Sequence, residues 1–287
     1  MGQVRVKGGV LVGALVSGAL ATGMLGGAPT ANATCASFFG IGNSADCSST
    51  LLSGAIAIGT GATAHATGLF GAAFSTGTKA EAFTANAFTF ATAVGDSAEA
   101  DAEGIFGIAT QLGANGFTQT FSPGNVGLNI AIGVSPGNTV FFGSVAEALG
   151  VGNVAVNLFG NGTTPDGNVV RAIGFVNVAA NLGGDNNKVQ ARPFGPNQTA
   201  VLNLAFNAFG SGNTVKAGPG PVAIAGSIAQ TGATVTKVGP GFNINGIRVP
   251  NTAAAGGGTK TSAPTATAVR TGQKNAAPAA ARVGHKK

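Results

Sequence analysis

Between Ser97 and Glu103 the chain alternates strictly, Ser-Ala-Glu-Ala-Asp-Ala-Glu, with alanine at every second position. A period of two predicts a β-strand with alanines on one face and carboxylates on the other. Helix is the competitor, because alanine is the best helix former. Against it stand glycines every few residues, many Thr, Val and Phe, and no sustained 3.6-residue pattern. Each interior glycine would cost a helix about 1 kcal/mol.

The alternation recurs. Four segments align on Gly61, Gly77, Gly95 and Gly113, at steps of 16, 18 and 18 residues. Three residues after these glycines stand Ala64, Ala80, Ala98 and Gly116; five before them stand Ile56, Ala72, Phe90 and Ile108. Phe70, Phe88 and Phe106 each precede a glycine by seven residues. Further on, Gly137-Asn138, Gly152-Asn153 and Gly167-Asn168 recur every 15 residues, and Asn186-Asn187 and Gly212-Asn213 continue the series irregularly. Val140, Val154, Val170, Val189 and Val215 follow these pairs. Gly and Asn tolerate left-handed backbone, so the pairs predict turns and the valines predict strand starts.

A step of 15–18 residues is too short for a helical repeat of about 34 residues, and it fits one coil of a β-solenoid. The fold class expected is therefore all-β, with aligned residues stacked about 4.8 Å apart. At about 18 residues per coil, residues 34–250 would make about twelve coils and a rod on the order of 60 Å. Inward Ala and Gly imply a narrow core. Phe70, Phe88 and Phe106 are expected to stack as an aromatic ladder, inside that core or along one seam of the rod. With the ladder inside, Phe88→Ala would cost about 3–5 kcal/mol.

Composition adds a compartment. Arg5 and Lys7 precede an uncharged stretch from Gly8 to Gly27, and Ala31-Asn32-Ala33 is an A-x-A cleavage pattern. Residues 1–33 thus read as a secretory signal peptide, with the mature chain starting at Thr34 and no membrane span left after cleavage. Cys35 and Cys47 are the only cysteines, and an even pair in an exported chain suggests a disulfide within an N-terminal cap over 34–50. The solenoid is expected over 51–250. Residues 251–287 carry Lys260, Arg270, Lys274, Arg282, Lys286 and Lys287 with no acid and no aromatic, and read as a disordered basic Ala/Pro-rich tail. The formal charge of +6 is therefore unevenly placed: residues 34–250 hold all nine carboxylates against seven Lys/Arg, a net of −2.

The segment Ser53-Gly54-Ala55-Ile56-Ala57-Ile58-Gly59-Thr60-Gly61-Ala62-Thr63-Ala64-His65-Ala66-Thr67-Gly68 resembles the head repeats of trimeric autotransporter adhesins. The resemblance covers residues 50–118 well and 119–245 loosely. It implies a left-handed β-roll, a trimer, and binding to host matrix or surfaces. The chain has no heptad stalk, so the membrane anchoring of that family is not implied. The Ala/Gly-rich, Asn-rich style with an export signal also resembles exported proteins of mycobacteria.

Charged residues make up 8% of the chain, with two His, two Cys and no Trp or Tyr, which leaves few groups for chemistry. Asp96, Glu99, Asp101 and Glu103, with Glu81 one coil earlier, form an acidic ladder. Such a ladder could hold a divalent cation or supply paired carboxylates to a glycosidase; a solvated strand face that blocks edge aggregation is the favoured account. His65 aligns with Glu81 and Glu99, which would allow a His–carboxylate contact, but an ordinary surface histidine is the favoured account. Asp166-Gly167-Asn168 and Asp185-Asn186-Asn187 would serve calcium or Asx turns equally. No phosphate loop, nucleophile elbow or zinc spacing is present, so no catalytic residue and no cofactor is assigned. The near-neutral coil and aromatic-free tail argue against nucleic acid. The expected role is a non-enzymatic, secreted or cell-envelope protein for adhesion or structure, with cell-wall polymer or a host surface as partner. A carbohydrate-active enzyme on a β-solenoid is the alternative.

Overall fold

The computed structural model describes residues 34–121, 127–135, 143–163, 167–195 and 197–248. The predicted signal peptide and basic tail lie outside the described residues. Within them the chain is all-β, with 25 strands and no helix. Two sheets face each other as a β-solenoid of about nine turns. Sheet A has 13 strands and runs from Gly54–Ile58 through Ala72–Thr76, Phe90–Val94 and their successors to Gly241–Ile244. Sheet B has 12 on or beside its path, among them Cys47–Ser49, Glu81–Thr84, Glu99–Ala102 and Thr234–Lys237. The chain alternates between the sheets, so successive strands within each sheet are parallel.

Sheet A is closed at its ends by antiparallel strands. Thr34–Phe38 runs against Gly54–Ile58, and Ile41–Gly42 folds back on it; Ile247–Arg248 does the same on Gly241–Ile244. A short outer hairpin leaves little regular edge for another chain to extend. The disulfide is formed in this cap as expected. Cys35 and Cys47 are buried, their Cα atoms 5.5 Å apart, and they join the first strands of the two sheets.

The coil length differs from the expected 15–18 residues. Gly54, Ala72, Phe90 and Ile108 stack in register at 18-residue steps, but Ile108, Ile130, Val154, Val178 and Leu204 follow at 22, 24, 24 and 26. The rod therefore has fewer, larger coils than twelve. The first coil also aligns on Gly59 and not Gly61. A Cβ at Gly59 would lie 2.1 Å from the Gly77 carbonyl oxygen, and one at Gly77 would lie 2.2 Å from that of Gly95. These glycines adopt φ near +130° and let successive corners nest. With that shift Ile56 pairs with Phe74, and His65 with Phe83.

The 15-residue Gly-Asn step is not the coil repeat. Three successive coils of the second half have an asparagine at both corners (Asn153 and Asn168, Asn177 and Asn187, Asn203 and Asn213), so Asn153 and Asn168 stand at the starts of strands in opposite sheets. Gly137-Asn138 and Val140 fall outside the described residues. Val170, Val189 and Val215 do sit in sheet B, fully buried.

The interior explains the asparagines. The buried apolar residues are almost all alanine, with a few valines and the two cysteines; no Leu, Ile or Phe is among them. Buried corners leave backbone N–H and C=O groups facing inward, and each must find a partner. Asparagine supplies an acceptor and two donors in one small side chain. Asn153 Oδ1 accepts the Asn177 N–H, Asn177 Oδ1 that of Asn203, and Asn203 Oδ1 that of Ala223, at 2.7–2.9 Å. Asn177 Nδ2 donates to the carbonyls of Ile173 and Ala200 at 2.9 and 3.0 Å. Asn168, Asn187 and Asn213 build the same ladder at the other corner. A third column, Asn157–Asn181–Asn207, stacks amide on amide inside sheet A at 2.7–2.8 Å and takes cross-links from Asn187 and Asn213.

Asn177→Ala is expected to strand three buried backbone groups and lower stability by about 2–4 kcal/mol. The shift in urea midpoint measures this. A change below about 0.5 kcal/mol, the level of an ordinary surface substitution, would show that the ladder does not hold the coils together.

Candidate functional site

The two outer faces differ in kind. From Gly54–Ile58 to Gly241–Ile244, no strand of sheet A contains a charged residue. Its outward positions carry Ile, Val, Leu, Phe, Ala and Gly, and only Thr76, Thr92 and Thr110 are polar. Most of the large apolar side chains absent from the core are here, although Phe83, Phe117, Leu149 and Ile173 point outward on sheet B. Sheet B carries the charges, sorted along the rod: Glu81, Glu99, Asp101 and Glu147 come first, then Arg171, Lys188, Lys216 and Lys237. Glu147 and Arg171 meet at the change of sign, with Nε 2.9 Å from Oε2.

The acidic ladder is placed partly as expected. In the strand Glu99–Ala102 the alanines are buried and the acids face out, and Glu81 stands in register beside Glu99. Burial, reinforced by the Glu81 charge, holds the Glu99 carboxyl above its usual value. Burial pushes Asp101 up to about 7, helped by the charges of Glu103, Glu99 and Glu81. Asp101 Oδ1 is buried without a hydrogen-bond partner. Asp96 is separate from this group. It lies in the corner after sheet A, accepts the Thr78 N–H at 2.8 Å, and is held below its usual value chiefly by that bond. Among the described residues, no three His, Cys, Asp or Glu side chains converge where a metal ion could sit.

Two functional alternatives raised by the sequence lose their geometry. His65 does not join Glu81 and Glu99, because the register places Phe83 and then Asp101 beside it; its Nδ1 lies 2.7 Å from the Ser48 hydroxyl. Asp185, Asn186 and Asn187 do not face one ligand. Asp185 accepts the Asn161 N–H, Asn186 holds Thr163, and Asn187 points into the buried ladder. Asp166 falls outside the described residues.

Phe70, Phe88 and Phe106 do stack, with ring centroids 5.2 Å apart at each step and planes within 19° and 14°. They stack along an outer seam and not in the core, at 46%, 40% and 51% exposure. The narrow interior has no room for a ring. The three residues sit at a corner with φ of 55–61°, where glycine is the usual choice. Leu69 beside Phe70, and Phe90 and Ile108 in the neighbouring strands, extend this apolar seam onto the sheet A face. Hydrophobicity alone does not disclose that inversion; the signal available in the sequence is that bulky residues fall at positions out of phase with the alanines.

A scan against known protein families, a search of curated proteins and a search of solved structures each found no match.

Two outcomes follow. Phe88→Ala removes two aromatic stacks, each worth about 0.5–1.5 kcal/mol, and is expected to cost less than the 3–5 of a fully buried ring; chemical denaturation measures the difference. Asp101 gives a pH dependence. Its folded value exceeds its unfolded value of about 3.9, so the folded chain holds the extra proton. Stability on this account is greatest below about pH 4 and is lost as pH rises through about 7. Asp96, shifted the other way, acts only below that window. The melting temperature is expected to fall from acid toward neutral pH, and Asp101→Asn to flatten the slope. A slope unchanged in that variant would exclude Asp101 as its source.

Proposed function

We propose that the protein is a non-enzymatic, exported surface or cell-envelope component, an interaction rod used for adhesion or structure. One observation carries this reading: the chain fills its core mainly with Ala and Asn and lines one uncharged outer face with Ile, Val, Leu and Phe. Monomeric soluble proteins rarely show an apolar patch beyond a few hundred Å² unless it binds something. The Cys35–Cys47 disulfide favours an oxidising compartment. No helix among the described residues is long and apolar enough to cross a membrane.

The adhesin-like resemblance agrees with a stacked parallel coil, and the partner on this reading is cell-wall polymer or a host surface. The six basic residues of 251–287 supply a second, electrostatic contact to anionic polymers, screened beyond about 8 Å at physiological ionic strength. The rival reading, a carbohydrate-active enzyme on a solenoid, draws on Asp101, whose carboxyl titrates near neutrality beside Glu99 as a general acid would.

Pull-down of the secreted protein on cell-wall polysaccharide, matrix proteins and intact cells tests the proposal. Retention is expected, and deleting 251–287 should remove its salt-sensitive part while leaving the melting temperature nearly unchanged. Retention on none of these surfaces, or saccharide cleavage that Asp101→Asn abolishes, would overturn it.

A further inference from the structure

We infer that the outer face of sheet A is the docking surface for a second copy of this chain, packed sheet on sheet. The inference rests on reading that face as an interaction surface, and it names the occupant.

Size is the first argument. Ten stacked strands of sheet A, from Gly54–Ile58 to Gly241–Ile244, cover about 43 Å at the strand spacing, and five residues across add about 16 Å. That is about 700 Å² per copy, close to the roughly 800 Å² per partner of a stable interface. Composition is the second. The middle of the face, Ile132, Val156, Val178 and Leu204, is aliphatic, and outward-facing apolar residues of this kind form the dry layer between packed sheets about 10 Å apart. Pairing the face with itself buries no charge, because the ten strands contain none.

A face paired with its own copy makes the same contacts on both chains, and the closed two-fold arrangement that results is the commonest symmetry of oligomers. The charges of sheet B stay on the outer sides of such a pair. A lipid surface fits less well. Interfacial binding draws on Trp or Tyr and on a basic rim; the chain has neither aromatic, and Arg171, Lys188, Lys216 and Lys237 of the stacked strands lie on the opposite sheet.

Sedimentation of the full secreted chain, with and without Val156→Lys and Val178→Lys together, tests the inference. The native protein is expected at twice the single-chain mass. The double variant is expected as a monomer, with dissociation constant raised about a hundredfold or more because buried charges are left unpaired. The milder pair Val156→Thr and Val178→Thr, which suits a strand, guards against misfolding: with an unchanged far-UV spectrum it should weaken the dimer about tenfold, since two large apolar contacts become polar. Native protein that sediments as a monomer at micromolar concentration, a threefold mass, or a dimer indifferent to both pairs of substitutions would overturn the inference. A monomer that floats with phosphatidylcholine vesicles would assign the face to lipid instead. These readouts need no envelope partner, so failed retention on surfaces and failed dimerisation remain separate results.

Discussion

Backbone hydrogen bonds between identical positions of successive coils set every other feature of this molecule. Parallel stacking places each residue about 4.8 Å above its counterpart one coil away. A side chain that points inward must therefore fit a thin slot and also tolerate a near copy of itself above and below. Alanine satisfies both conditions, and it fills the 18-residue coils of the first half. Asparagine satisfies them differently. Its amide donates to one neighbour and accepts from the other, so a column of asparagines closes its own hydrogen bonds while serving the corner backbone. Where the coils widen to 22–26 residues, asparagines appear at both corners and inside sheet A. The junction is marked by Gln111, fully buried, which fills the space of the absent side chains at Gly116 and Gly133.

The same slot expels bulk. A ring or a long aliphatic chain cannot stack inward at strand spacing without forcing the sheets apart, so Phe, Leu and Ile move to the outer surface and the corners. Their segregation is uneven: sheet A carries most of them and no charge, whereas Phe83, Phe117, Leu149 and Ile173 share sheet B with the charged residues. On sheet B like charges crowd at strand spacing, and the consequence is visible at Asp101, whose carboxyl is raised by burial and by three neighbouring carboxylates. The opposite outcome occurs at Glu147 and Arg171, where a register pair of opposite sign closes at 2.9 Å.

This division explains what could be read from the sequence. The alternation around Ser97–Glu103 fixes strand and facing because alanine and carboxylate differ so sharply, and the 18-residue step survives in three coils. The cysteine pair was legible from its number alone. Three features were not. The Gly59-Thr60-Gly61 triplet offers two glycines two residues apart, and only the nesting of Gly59 against Gly77 selects the right one. Asn153 and Asn168 look like one repeat because a coil has two equivalent corners, and spacing cannot separate a half-coil from a whole one. Phe70, Phe88 and Phe106 look like core because hydrophobicity predicts burial, yet burial depends on whether the slot admits a ring.

The fold treats its two exposed hazards unequally, and the contrast bears on function. Open sheet edges invite uncontrolled growth, and sheet A closes both of its edges with antiparallel strands. An apolar face invites association just as strongly, and nothing comparable blunts it: its outward positions hold three threonines and no charge, although one lysine per strand would fit the outward geometry as it does at Lys188 and Lys216 of sheet B. The hydrogen bonds of the ladders within run between inward groups and take no partner from those bulky residues outside. Apolar surface of that extent, kept free of charge while charge is placed on the opposite sheet, is what the proposed pairing of two copies would cover.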